Sequence, residues 1–225
     1  MNVFIVFLGL LPSFIWLSFF LQEDIHPEPR KMVFLAFIAG IVAAFFAIAL
    51  QYPLSNYFKD QGLGITAYLP ITVFAGIEEI MKFIFAYMAV GRSKYLDEPA
   101  DAMIYMVATA SGMAAFENVA LMMSSEAISQ KTEVLVLRFL GATLLHILSS
   151  SIVGYYWAKG MLRRRVVLNV LAGLILAVLM HASFNLLIAV SRGGVVYSVL
   201  FLVVAAFFIF YDFEKLKETG QKLEV

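Results

Sequence analysis

The stretch Ala75-Gly76-Ile77-Glu78-Glu79-Ile80-Met81-Lys82-Phe83 decides how the chain is read. It lies inside an apolar run from Thr66 to Val90 that is long enough to cross a bilayer. Two adjacent carboxylates and an ammonium are costly in hydrocarbon, so they are expected to face a protein interior and to act there. On a helix Lys82 stands i+4 from Glu78 and i+3 from Glu79, within reach of either acid. The bland alternative is a self-satisfied ion cluster that only packs helices together.

Composition sets the frame around that stretch. Of 225 residues, 62% are hydrophobic and 14% charged, and the mean hydropathy is +0.89. Such a chain is an all-α, polytopic membrane bundle rather than a soluble globule, with one transmembrane domain spanning residues 1–225. Net charge is zero and no basic tract is long enough for nucleic acid. The absence of cysteine excludes disulfides, thiolate metal sites and cysteine nucleophiles. Met1 to Leu21 has neither a positive leader nor a small-residue cleavage site, and reads as a retained first span.

Charged and Gly/Pro punctuation predicts about seven transmembrane helices. They run Asn2–Leu21, Lys31–Leu50, Thr66–Val90, Asp101–Met123, Thr132–Trp157, Val166–Val190 and Val195–Tyr211, with the weakest boundary at Ser191-Arg192-Gly193-Gly194. Loops after spans one, three and five, with the tail, carry eleven lysines and arginines; the opposite loops carry only Lys59, Lys131 and Arg192. That bias places the N-terminus outside, in a plasma-membrane protein. Trp16 and Trp157 fall near inner ends, as interfacial anchors do, and Arg163 to Arg165 suit anionic headgroups of the lipid bilayer. Arg138 is expected to snorkel or to pair with Glu133, His26 to be solvated, and Asp97, Glu98 and Asp101 to form an acidic first turn.

Removing loop charges leaves a short intramembrane set: Glu78, Glu79 and Lys82; Glu117 and Asn118; His146; His181 and Asn185. Glu117 lies about 9 Å from its outer helix end, His181 about 13 Å, Glu78 about 18 Å and His146 about 21 Å. All four therefore fall between the bilayer middle and the outer leaflet, where one cavity open to the outside can hold them. Small residues beside each position permit close helix approach.

No activated serine pattern is present, and Ser149 to Ser151 read as groups that satisfy backbone carbonyls. Water is then the natural nucleophile. Glu78 or Glu79 in an apolar site becomes a competent base, a facing histidine orients the water, and Asn185 donates to a carbonyl oxyanion. That is peptide hydrolysis. A zinc version is also constructible, with Glu117, His146 and His181 as ligands and an open fourth position, although no HExxH pair stands on one helix. A proton-coupled transporter and a non-catalytic scaffold are the competing classes. The transporter lacks the repeated halves and paired broken helices it would need.

Four ordered motifs then carry a resemblance. Glu78-Glu79-x-x-Lys82, Phe116-Glu117-Asn118 after the run Asp101 to Tyr105, the isolated His146, and His181-x-x-x-Asn185 resemble the PrsW family of intramembrane proteases. These belong with the type II CAAX prenyl proteases. The resemblance implies Glu78 and Glu79 as catalytic acids, completed by Glu117, His146 and His181. It also implies a membrane-embedded protein substrate, an anti-sigma factor that receives its first cut from such enzymes. Two positions depart: Met113 stands where phenylalanine is frequent, and Asn185 where aspartate is common. The second change leans toward the prenyl-protease pattern, so CAAX-type endopeptidase activity is the alternative.

Overall fold

The structure is a computed structural model and describes residues 3–124, 136–190 and 194–223. Seven long helices follow one another, and there is no strand among the described residues. Helix α1 is Val3–Phe20, α2 Arg30–Asp60, α3 Tyr68–Val90 and α4 Asp101–Ser124. A π-helical turn, Arg138–Ala142, leads into α5, Thr143–Leu162; α6 is Val166–Val190 and α7 Gly194–Leu223. Six of them are long and apolar enough to cross a membrane; the remaining one, α3, is the helix that carries Glu78, Glu79 and Lys82. Large apolar side chains such as Phe45, Leu171, Ile175, Leu179, Val203 and Phe207 stand exposed on the outside, as a lipid-facing surface requires.

Two helices outrun their expected ends. Helix α2 continues past Leu50 to Asp60, and α7 past Tyr211 to Leu223. In α7 polar residues end the apolar run without removing helix propensity, and α2 runs on through Pro53, so in both the hydropathy boundary and the helical boundary separate. The expected start of span five at Thr132, the pairing of Arg138 with Glu133, and the turn at Ser191 to Gly193 lie outside the described residues.

Helix α4 is the axis of the bundle. From Ala102 to Ala115 every residue is buried, which is why it shows no apolar stripe of its own. It packs mainly on α1, α2 and α5. The α2–α4 crossing works only because both backbones lack a Cβ at the contact. A Cβ on Gly40 would lie 1.8 Å from the Thr109 carbonyl oxygen, and one on Gly112 would lie 1.9 Å from that of Phe37. Such close approach is how membrane helices gain packing energy without a hydrophobic drive.

The tryptophans are not lipid-interface anchors. Trp157 is buried, with edge and tilted ring contacts to Phe83 and Tyr87 of α3. Trp16 donates its indole N–H to the Phe139 carbonyl at 2.8 Å, supplying a partner to the π-helical turn.

At one end of the bundle, the link between α1 and α2 is tied to α4. Tyr105 donates its hydroxyl to Glu28, Asp101 accepts the amides of Asp97 and Glu98, and Asp24 accepts those of His26 and Glu28. His26 is solvent-exposed, as expected, and pairs there with Glu98 at 2.6 Å. Burial raises the Glu28 carboxyl above its ordinary 4.5, partly countered by hydrogen bonds with Tyr105 and Asp101.

Two tests follow from this packing. Gly40→Ala or Gly112→Ala should wedge α2 from α4 and cost about 1–3 kcal/mol, read as a lowered melting temperature in detergent. An unchanged melt would disprove the close contact. A raised carboxyl holds its proton more tightly folded than unfolded, so the stabilisation is complete below pH 4.5 and is lost as pH rises through the raised value. The native protein should therefore lose stability relative to Glu28→Gln between pH 4.5 and neutrality, and a constant difference would refute this.

Candidate active site

Four helices bring the intramembrane polar groups together. Glu78, Glu79 and Lys82 come from α3, Glu117 and Asn118 from α4, His146 from α5 and His181 from α6. The adjacent glutamates point in different directions, as a helix demands of neighbours, and they meet different surroundings.

Glu79 is fully enclosed. Its Oε1 accepts from Lys82 Nζ at 2.6 Å, Ser149 Oγ at 2.8 Å and His181 Nδ1 at 2.8 Å, while Oε2 accepts from Ser150 Oγ at 3.1 Å. Four donors, three of them on Oε1, surround a group that when ionised can only accept. With no solvent contact and four donors around it, Glu79 is built as a fixed anion.

Glu78 is the open one. Its Oε1 accepts from Gln51 Nε2 at 2.8 Å, and its Oε2 lies 3.5 Å from His181 Nε2. Its side chain is 17% exposed, against 0% for Glu79. Acceptor capacity is left over on the side facing the imidazoles.

The tautomers follow from the partners. Glu79 when ionised can only accept, so His181 carries a hydrogen on Nδ1 and turns its Nε2 toward Glu78. For His146, the Lys82 ammonium lies 3.3 Å from Nδ1, so that nitrogen accepts and Nε2–H donates to Glu117 Oε2 at 3.1 Å. The two rings meet edge to face, 5.1 Å apart. Glu117 also receives Arg138 Nη2 at 2.8 Å. Arg138 Nε donates to Asn118, whose amide reaches Thr143 at 3.1 Å. Arg138 therefore points inward to the site rather than snorkelling to the interface.

One ligand atom each from Glu78, His146 and His181 all lie within 4.8 Å of one another. From the sequence Glu117 was the candidate carboxylate of the metal set; in the structure Glu78 takes that place, because Glu117 sits behind His146 and is paired with Arg138. Asn185, one turn beyond His181, is half-buried and makes no hydrogen bond to these groups among the described residues.

Residues 28–211 match the family described as PrsW family intramembrane metalloprotease. The chain belongs to that family. All four site-bearing helices lie within the match. The protein named Protease PrsW from Geobacillus kaustophilus is 28% identical over 191 residues, 83% of this chain and 80% of that protein. Its namesake in Bacillus subtilis is 26% identical over 203 residues, covering 88% and 89% respectively. No solved structure matches. This PrsW-family member is a multi-pass membrane protease, which sets aside the transporter and scaffold readings.

The family description raises the question of a metal, and the donor set fits one. Two imidazoles and a carboxylate are a usual zinc set with an open position, and Glu79, bonded to His181 Nδ1, would be the outer carboxylate that steadies that histidine if a metal were bound. A metal on His146 Nε2 would replace the hydrogen that now goes to Glu117.

Three contributors escape the sequence reading. Gln51 lay just past the expected end of α2, and its polar side chain after an apolar run was the signal. Ser149 and Ser150, expected to serve backbone carbonyls, both donate to Glu79; only Ser151, bonded to the Ile147 carbonyl, serves the backbone alone. Their spacing i+3 and i+4 from His146 puts them on its face.

If Glu79 is the charged anchor, Lys82→Met should leave a buried anion short of its counter-ion and cost about 3–5 kcal/mol, whereas Ser150→Ala should cost only about 1 kcal/mol. Thermal denaturation in detergent measures both, and equal effects would show that the ion pair is not the anchor.

Proposed function

We propose that Glu78 is the general base of a peptidase centre in which it activates a water held between the imidazoles of His146 and His181. The observation that carries this is the asymmetry of the two glutamates: Glu79 is fully enclosed and held by four donors, while Glu78 has one close donor and some solvent access. Glu78 takes a proton from the water as its oxygen bonds to the substrate carbonyl carbon. The C–N bond then breaks, and the proton passes from Glu78 to the leaving amine. Asn185 donates to the developing oxyanion, and Glu79 with Lys82 holds His181 and His146 in their tautomers.

A second reading rests on the convergence of Glu78, His146 and His181 within ligand distance. These residues would hold a zinc ion, which lowers the pKa of a bound water to about 7. Glu78 is then a ligand rather than a base.

For the substrate we propose a membrane-embedded protein cut on the outer side, of the anti-sigma-factor kind. The mid-helix depth of the site and the lysine and arginine bias of the loops support that direction. The whole chain is proposed to act as one transmembrane catalytic domain.

Glu78→Gln should lower cleavage of a reconstituted membrane substrate by about 10²- to 10⁴-fold with an unchanged melting temperature. Glu79→Gln should lower both together. Cleavage that survives Glu78→Gln would end the proposal. Elemental analysis separates the two readings: stoichiometric zinc and loss of activity with a strong chelator select the metal-bound water, and chelator-resistant cleavage without metal selects bare water.

A further inference from the structure

An apolar cavity of about 250 Å³ lies beside the site, walled by the π-helical turn, α6 and the start of α7. Its position follows from the helix registers. Ala142 stands one turn before His146 on α5, while Phe184 and Ile188 stand one and two turns beyond His181 on α6. The cavity therefore sits on the same helix faces as the two imidazoles, displaced about 5 Å along the bundle for each turn. Arg138 links the two spaces, lining the cavity while bonding Glu117, which in turn bonds His146.

The lining carries one unanswered polar atom. Ser198 of α7 is 1% exposed and its hydroxyl has no hydrogen-bond partner among the described residues. A buried hydroxyl without a partner is costly, and more so in hydrocarbon. The other polar group, the Arg138 guanidinium, is already committed to Glu117 and Asn118.

We propose that this cavity is a substrate subsite that receives an apolar side chain, leucine or phenylalanine in size, within two residues of the scissile bond, while Ser198 donates its hydroxyl to a substrate backbone carbonyl. The proposal rests on the peptidase reading above. Size agrees, because an apolar cavity of about 150 Å³ already takes benzene. Spacing agrees, because side chains on one side of an extended peptide repeat every 6–7 Å or so, roughly one helical turn. Chemistry selects peptide over lipid. A phospholipid would bring a phosphate to a guanidinium that is already neutralised by Glu117. An extended peptide brings both an apolar side chain and carbonyls.

Binding is best measured in the Glu78→Gln protein in nanodiscs, where it does not depend on turnover. The probe is a positional-scanning set of short fluorescent peptides, each position in turn Leu, Phe, Ala or Asp. At one position Leu and Phe should bind about tenfold or more tightly than Ala and Asp, and Ser198→Leu, which fills the cavity, should abolish that preference. The chain has no cysteine, so adding Ser198→Cys provides a volume-conserving check. The Leu peptide should shield the introduced thiol from a small thiosulfonate reagent, and the Asp peptide should not. A preference unaltered by Ser198→Leu, the absence of shielding, or a co-purifying phospholipid displaced by Ser198→Leu would each overturn the subsite. Failure of the unaltered protein to cleave any peptide would sink the peptidase reading instead, leaving the binding preference intact.

Discussion

The buried carboxylate of Glu79 is the constraint on which the rest of the site depends. A charge withdrawn from water into hydrocarbon persists only if its acceptor sites are filled. Here the donors come from three helices: Lys82 of α3, Ser149 and Ser150 of α5, and His181 of α6. Satisfying one anion therefore sets the azimuth of three helices at once. It also orients both imidazoles, His181 through its own Nδ1–H and His146 through Lys82. Moving any of these helices by an ångström would break a hydrogen bond that the bilayer cannot replace.

The remaining helices supply the frame. Helix α4 sits at the centre because its small residues and Gly112 let α2 and α5 approach closely, and it carries Glu117 to the far side of His146. Tyr105, near its N-terminal end, tethers the link between α1 and α2. The π-helical turn before α5 points Arg138 inward, where it binds Glu117 and Asn118 and borders the apolar cavity. Chemistry and access are thus built on the same short segment.

Much of this was legible in the residues themselves. An ionisable residue in an apolar run has few inexpensive destinations, so Glu78, Glu79, Lys82, Glu117, His146 and His181 announce a shared interior, and the structure gathers them. Gln51 and Ser150 were not legible, because a neutral polar group near a span end or beside other serines has several equally good partners. Arg138 was misjudged for the same reason: from its position, a long cation near a helix end reaches the interface as easily as the core.

The sequence by itself determined that the chain is a membrane bundle, which helices carry charge, and that the charges had to meet, because hydrocarbon leaves unpaired ions nowhere else to go. Only the tertiary structure decided which glutamate is spent on holding the site and which is left open. Adjacent residues on one helix look equivalent in sequence but face directions about 100° apart, and their different neighbours, four donors around Glu79 and an open side for Glu78, arise from the packing of α5 and α6 against α3.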